Sequence, residues 1–153
     1  MKYEYLLMLW MIFVVKMIID YKKNKYSDYV YKKFKKIVYL EIVPLLGMWL
    51  MFNNMLPILF MRRKNFWSLF LVLFFLFGTI ECYKMRIIKK VGDSYKKRGE
   101  LDKMPSMEKW MYKWGLRSTD EYAWIVATIA CFFSILLLIY RLVIGDYGEV
   151  VRY

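Results

Sequence analysis

Long stretches of apolar residues are the feature that most constrains how this 153-residue chain can fold. They occupy residues 3–19, 37–61 and 66–83, and a fourth runs from residue 122 to about 144. A helix on a soluble protein keeps one polar face, whereas these stretches carry apolar residues on most sides. Because about 20 apolar residues of helix cross a bilayer, the sequence predicts an all-α integral membrane protein with about four transmembrane helices.

Composition supports a bilayer environment for these stretches. Apolar residues make up 60% of the chain and aromatic residues 20%, more than an ordinary soluble domain carries. We predict three regions: a three-helix membrane region at residues 1–91, an inner-side loop at 92–121, and a fourth span with a short tail at 122–153.

The second span contains several residues that interrupt helices or apolar runs. These are Pro44, Gly47, Asn53, Asn54 and Pro57. Two alternatives therefore stay open. The span is either one helix that reaches Met61, or a helix that ends near Phe52 and is followed by an outer loop over residues 53–65.

The loop before the fourth span contains a predicted short helix over residues 106–114. Pro105 and Ser106 are typical of a helix start, and Gly115 of a stop. Four apolar residues recur at helical spacing, whereas polar residues take the other faces. The apolar set is Met107, Trp110, Met111 and Trp114, and the polar set is Glu108, Lys109 and Lys113. This pattern predicts an interfacial amphipathic helix, with Trp110 and Trp114 at the lipid headgroups, although packing on a partner subunit fits it equally.

Lysine and arginine residues predict the orientation of the chain. Loops 20–36 and 84–121 hold seven and eleven of them, whereas the opposite side holds six. Basic loops stay on the inner side of a membrane, so both loops are predicted to face cytoplasm or matrix, with both termini outside. This placement explains the net charge of +12 without nucleic acid, which we exclude as a partner. It also predicts contact with anionic lipid such as cardiolipin, with Lys22, Lys23, Lys35 and Lys36 as the candidate lipid-contacting cations.

Residues for ordinary catalysis are scarce in this sequence. The chain has no histidine, and its two cysteines, Cys82 and Cys131, cannot by themselves build a His/Cys metal site. It lacks a Ser/His or Cys/His pair and a glycine-rich phosphate loop. We therefore expect no metal, no cofactor and no catalysis by this chain alone.

Two acidic residues, Glu41 and Glu81, lie within or beside apolar runs. A carboxylate at bilayer depth costs roughly 2.5–3.5 kcal/mol, so its presence needs a reason. Spans two and three run in opposite directions, which predicts that both carboxylates lie at a similar depth near the inner side. One interpretation is an interfacial site in which each pairs with a nearby cation, from the set Lys35, Lys36, Lys84 and Arg86. The other is a proton path, because two neighbouring carboxylates share a proton readily.

Short motifs around both glutamates resemble a known family. Span two opens with Lys35-Lys36-Ile37-Val38-Tyr39-Leu40-Glu41-Ile42, and span three closes with Gly78-Thr79-Ile80-Glu81-Cys82. Together with the basic first loop, this order resembles the smallest membrane subunit of respiratory complex I, the K subunit of bacteria and 4L subunit of mitochondria. The resemblance covers roughly the first 90 residues, and the fourth span has no counterpart in that family.

The resemblance implies a membrane-arm subunit of a proton-translocating NADH–quinone oxidoreductase. Glu41 and Glu81 would be its two carboxylates on the proton path, and it would hold no redox cofactor. The pairs Lys22-Lys23 and Lys35-Lys36 would be its inner-side loop cations. Other membrane subunits of the complex would be its partners. The mitochondrial inner membrane is the location it implies, with a bacterial plasma membrane as the alternative.

A structural role is the alternative function. The chain would then be an accessory membrane subunit of a respiratory complex or ATP synthase, acting by helix packing and lipid binding. A stripe of small residues on the fourth span favours close helix packing, and consists of Ala123, Ala127, Ala130 and Ser134. A small bacterial membrane protein with an unrelated partner is a third hypothesis.

Overall fold

The computed structural model describes residues 4–118, 123–145 and 148–149, which form helices joined by short turns. The elements in chain order are α1 (Glu4–Lys22), α2 (Asp28–Phe52), the single turn α3 (Ile58–Met61), α4 (Arg63–Lys97), a 3-10 turn (Leu101–Lys103), α5 (Ser106–Ser118) and α6 (Ala123–Ile144). The predicted all-α class is confirmed. The fourth span is predicted to start at residue 122. That residue and most of the tail lie outside the described residues.

Two helices, α4 and α6, are long and apolar enough to cross a membrane. The four crossing helices that the sequence predicts are not supported, because charged residues interrupt the apolar runs of α1 and α2. Lys16 lies within the run of α1 and Asp20 directly after it. In α2, Glu41 lies within the run, and Lys35 and Lys36 directly precede it. Hydrocarbon disfavours such charges unless other groups neutralise them, so the position of α1 and α2 depends on their tertiary contacts.

Helix α2 begins and ends at residues with capping chemistry. The Ser27 hydroxyl accepts a hydrogen bond from the backbone N–H of Val30 at 3.4 Å, as an N-cap residue does. At the other end, Asn53 donates its side-chain amide to the carbonyl of Trp49, and Asn54 adopts a left-handed φ of 55°. These two residues stop the helix at Phe52, so the alternative of one helix that reaches Met61 is wrong.

Helix α4 continues to Lys97, well beyond the predicted end of span three at residue 83. Its last turns carry a buried apolar side, with Ile87 and Ile88, on an otherwise basic segment. The sequence analysis interpreted this basic segment as the start of a loop. Burial of one side against the neighbouring helices stabilises the segment as helix, which composition alone did not reveal.

Helices α1, α2, α4 and α6 pack side by side with alternating directions. Glu41 lies opposite Lys84 and Phe52 opposite Phe66, so α2 and α4 are antiparallel. Arg141, near the end of α6, donates to the Lys64 carbonyl at 2.7 Å and to the Ser68 hydroxyl at 2.9 Å, near the start of α4. Helix α6 is therefore also antiparallel to α4.

The predicted stripe of small residues on α6 lies partly inside this helix pair. Ser134 is buried, and the neighbouring Cys131 thiol is 3.8 Å from the Val72 carbonyl of α4. The stripe is predicted to let another helix approach closely, and at its Ser134 end the helix that does so is α4 of the same chain.

Helix α5 packs against the turn between α1 and α2 and against the last turns of α4, and it extends to Ser118, past the stop predicted at Gly115. Its residues Glu108 and Tyr112 are buried and one turn apart, so they form the packed side. Placing Glu108 on a solvent face was wrong. A Cβ atom added at Gly92 of α4 would overlap the Tyr112 ring, so this close approach requires glycine.

Candidate functional site

A buried ion-pair cluster joins α2 and α4. The Lys84 ammonium forms an ion pair with the Glu41 carboxylate, and its Nζ is also 3.2 Å from Oε1 of Glu81. The side chains of Glu41 and Lys84 are 3% and 5% exposed, whereas that of Glu81 is 41% exposed. We call these three residues the Glu–Lys–Glu trio. The structure thus brings together the two glutamates that the sequence singled out, with a lysine between them.

Helical spacing places the three charges on inward sides of their helices. Glu41 follows buried Ile37 and Val38 by one turn and precedes buried Leu45 by another, so it lies on the packed side of α2. Glu81 and Lys84 are three residues apart on α4 and therefore share a face.

Aromatic rings enclose the ammonium of the trio. Lys84 Nζ lies 4.9 Å from the ring centroid of Phe13 and 5.9 Å from that of Phe34. Ring faces attract cations, and here they also exclude water from the ion pair. Removing one member of such a pair leaves an unpaired buried charge, which costs far more than the intact pair contributes.

A cavity of about 470 Å³ opens beside the trio, between α1, α2 and α4. The trio provides its charged groups, and the rest of its lining is apolar or aromatic. These residues are Leu6, Leu9, Trp10, Phe13, Leu45, Met48, Phe74 and Phe77. The Trp10 indole N–H is buried and donates no hydrogen bond within the part of the chain that the structure describes. Apart from the trio and the Trp10 indole, the described lining of the cavity is therefore apolar.

The four loop lysines that the sequence singled out do not join the trio. Lys22, Lys23, Lys35 and Lys36 are exposed near the turn that joins α1 and α2. Lys84 was one of four cations considered as partners of the glutamates, and spacing alone could not select it. Its selection depends on the rotation of α4 about its own axis, which packing determines.

Trp110 and Trp114 lie on the outward side of α5. They are 57% and 54% exposed, and their ring centroids are 5.8 Å apart. Two large exposed rings beside a buried side are typical of a helix that contacts lipid headgroups or a partner.

Sequence analysis missed the opposite side of α5. The Glu108 carboxylate accepts hydrogen bonds from the backbone N–H of Ser27 at 2.6 Å and from its hydroxyl at 2.7 Å. Burial raises the pKa of Glu108. The Tyr112 hydroxyl donates to Asp93 at 2.8 Å. The Glu108 contacts hold α5 against the turn between α1 and α2, and the Tyr112 contact holds it against α4. The only signal was the four-residue spacing of Glu108 and Tyr112 within an amphipathic helix.

The described residues contain no group of three His, Cys, Asp or Glu side chains that could hold a metal ion, and Cys82 and Cys131 are free thiols. Comparison with known proteins finds no matching family model, curated protein or solved structure. The resemblance to the complex I subunit therefore depends on the short motifs around Glu41 and Glu81 alone.

Proposed function

We propose that this chain is a structural subunit of a membrane assembly that works by packing helices and binding anionic lipid. In this proposal α1, α2, α4 and α6 all lie in the bilayer, with loops 20–36 and 84–121 on the inner side. The host membrane is the mitochondrial inner membrane or, as the alternative, a bacterial plasma membrane. The trio, with its charges paired inside the protein, is the observation that carries this proposal.

Placement of α1 and α2 in the bilayer follows from what their charges contact. Glu41, the charge nearest the middle of α2, is paired inside the bundle and does not face lipid. Lys16 lies near the inner end of α1, where a lysine reaches the headgroups. The outward sides are apolar, and Leu9, Ile12 and Val43 are 65%, 62% and 56% exposed. Exposed apolar faces of this extent favour contact with hydrocarbon.

Internal charge pairing favours a structural role for the trio over transport. Lys84 offsets one negative charge inside the bundle and fastens α2 to α4 at a fixed register. Beyond the trio the described lining of the cavity is apolar or aromatic, which does not favour a proton route through this cavity. A fixed ion pair of this kind is best suited to holding helices in one arrangement.

Proton translocation is the second candidate function, in which the chain is the complex I subunit that its motifs resemble. The approach of Glu41 and Glu81 to one ammonium favours it, because three coupled ionisable groups can exchange a proton. The route to the outer side would then be completed by a neighbouring subunit.

One experiment separates the two functions. The native assembly would be purified through this chain, as wild type and as Glu41→Gln, and reconstituted into vesicles with a pH-sensitive dye inside. We expect Glu41→Gln to lower the amount or thermal stability of the assembly, with proton flux per assembled complex unchanged. Loss of flux in a fully assembled variant would establish the second function and reject the first. Glu4→Gln, an exposed acidic residue of α1, is the matched control.

A further inference from the structure

A second pocket, of about 320 Å³, lies between α2 and α4 on the inner side of the bundle. Its charged lining consists of Lys33, Arg86 and Lys90, and two tyrosines, Tyr29 and Tyr83, complete its polar wall. We call it the basic pocket. The volume is within the range of small-ligand sites.

Helical spacing aligns these residues along two facing stripes. Tyr83, Arg86 and Lys90 recur every three or four residues along α4, and Tyr29 and Lys33 are one turn apart on α2. The stripes converge because α2 and α4 pack against each other nearby, with Ile87 buried at the base of the pocket.

The guanidinium of Arg86 has a fixed position. Its central carbon lies 4.4 Å from the ring centroid of Trp124 on α6, within the range of a cation–π contact. Lys33 Nζ lies 5.8 Å from the Tyr29 ring centroid. Three cations on opposite walls of one pocket repel each other, so the pocket is suited to an anion that accepts several hydrogen bonds.

Trp124 indicates the depth of the basic pocket in the membrane. This tryptophan is the second residue of α6, immediately before the long apolar run of that helix. Tryptophan at the end of a membrane helix lies at headgroup level, so Arg86, which contacts it, lies at that level too. The basic pocket therefore opens where lipid phosphates lie and on the inner side, which is the more basic one.

We propose that the basic pocket binds the phosphate of an anionic phospholipid. Arg86 would bind two phosphate oxygens through its planar edge, and Lys33 and Lys90 would contribute charge from the two walls. The inference rests on the proposed membrane placement and adds a defined site to it. Phosphate is the chemistry that is recognised, and its source is either a lipid headgroup or a soluble ion.

The test titrates the full chain in a non-ionic detergent with short-chain phosphatidylglycerol. Parallel titrations use phosphatidylcholine, whose headgroup has no net charge, and inorganic phosphate. We expect saturable binding of phosphatidylglycerol at concentrations at which neither of the other two binds. Equal binding of phosphatidylcholine would overturn the proposal, and tighter binding of inorganic phosphate would show that the site serves a soluble anion.

Substitutions then locate the binding site. Arg86→Gln combined with Lys90→Gln should weaken phosphatidylglycerol binding by about 30-fold. Lys33→Gln alone, on the exposed side of α2, should weaken it several-fold without changing the packing of Trp124. The matched control for Lys33→Gln is Arg63→Gln, which removes one exposed charge at the opposite end of α4 from the pocket and should change binding by less than about twofold. Equal losses in the control and pocket variants would show that no defined site exists.

The failure of this inference is distinguishable from that of the proposed function. A chain that remains folded and monodisperse in water without detergent would reject the membrane placement, whatever the titrations show. If the chain requires detergent but does not prefer phosphatidylglycerol, only the lipid site is wrong.

Discussion

Two charged sites lie between the same pair of helices, and they balance their charge in opposite ways. The trio on the inward sides of α2 and α4 places one cation between two carboxylates. The basic pocket, on an adjacent side of the same helices, has three cations and no carboxylate among its described lining residues. On α4 the trio uses positions 81 and 84, whereas the basic pocket uses positions 83, 86 and 90.

This difference shows that one pair of helices can hold charges that stabilise packing at one site and charges that bind a ligand at another. Within the trio the chain supplies both signs of charge, so the buried Glu41–Lys84 pair contributes to packing, whereas Glu81 stays partly exposed. In the basic pocket the described lining residues include no carboxylate, so the three cations favour an anionic ligand. Burial matches this division, because Glu41 and Lys84 are almost fully buried, whereas Lys33 and Lys90 are exposed.

The largest expected effect comes from removing the cation of the trio. Lys84→Met should destabilise the folded chain by about 3–5 kcal/mol, because Glu41 would remain buried without a counter-charge. Unfolding by a denaturing detergent, followed by circular dichroism, measures this free energy. Adding Glu41→Gln to Lys84→Met should recover most of the loss. Wild-type stability in the single variant would show that the trio is solvated and would remove the contrast with the basic pocket.

The stability of the folded chain should depend on alkaline pH through Tyr26, which is buried in the core between the helices. Burial, with smaller contributions from Asp20 and Glu108, raises the pKa of Tyr26 from 10.0 to about 12. The folded chain therefore keeps this proton after the unfolded chain has lost it. Stability is fully present below pH 10 and falls as pH rises toward 12, by about 2–3 kcal/mol in all.

Tyr26→Phe provides the comparison for this pH dependence. It should remove one late step from the phenolate absorbance titration and flatten the loss of stability between pH 10 and 12. A titration that is unchanged by Tyr26→Phe above pH 11 would show that this side chain is exposed to water.

Gly92→Ala tests whether the basic pocket depends on the docking of α5. The added methyl group would overlap the Tyr112 ring, so we expect a loss of about 1–3 kcal/mol and release of α5. Limited proteolysis after Lys109 or Lys113 reports the release. Gly78→Ala, with nothing within 4 Å of the added atom, should be neutral or slightly stabilising. Phosphatidylglycerol binding should survive Gly92→Ala, since α5 does not line the pocket.

The smallest effect is expected at exposed lysines outside both sites. Lys35→Gln with Lys36→Gln should change stability by less than about 0.5 kcal/mol. Any effect on lipid affinity should disappear at about 1 M salt, where the Debye length is roughly 3 Å. The effect of Arg86→Gln should persist further into high salt, because this cation acts within a defined pocket. An equal salt dependence for both would make the basic pocket part of a diffuse positive surface.

Local features of the sequence were sufficient for the helices and for several of their ends. Apolar runs predicted α6 closely, and Pro57, Asn53 and Asn54 pointed to the break after α2 that the structure contains. These features act within a few residues of one another, through capping, turn preference and helical spacing. The extension of α4 was missed because its last turns are stabilised by distant residues.

The sequence by itself determined the helical, apolar character of the chain and the unusual positions of Glu41 and Glu81. Tertiary structure alone selected Lys84 as their common partner, buried Glu108 against Ser27 and gathered Lys33, Arg86 and Lys90 around one pocket. The physical reason is that contacts between helices depend on rotation and register. Both are set by the packing of many side chains at once, and a pattern along one helix does not specify them.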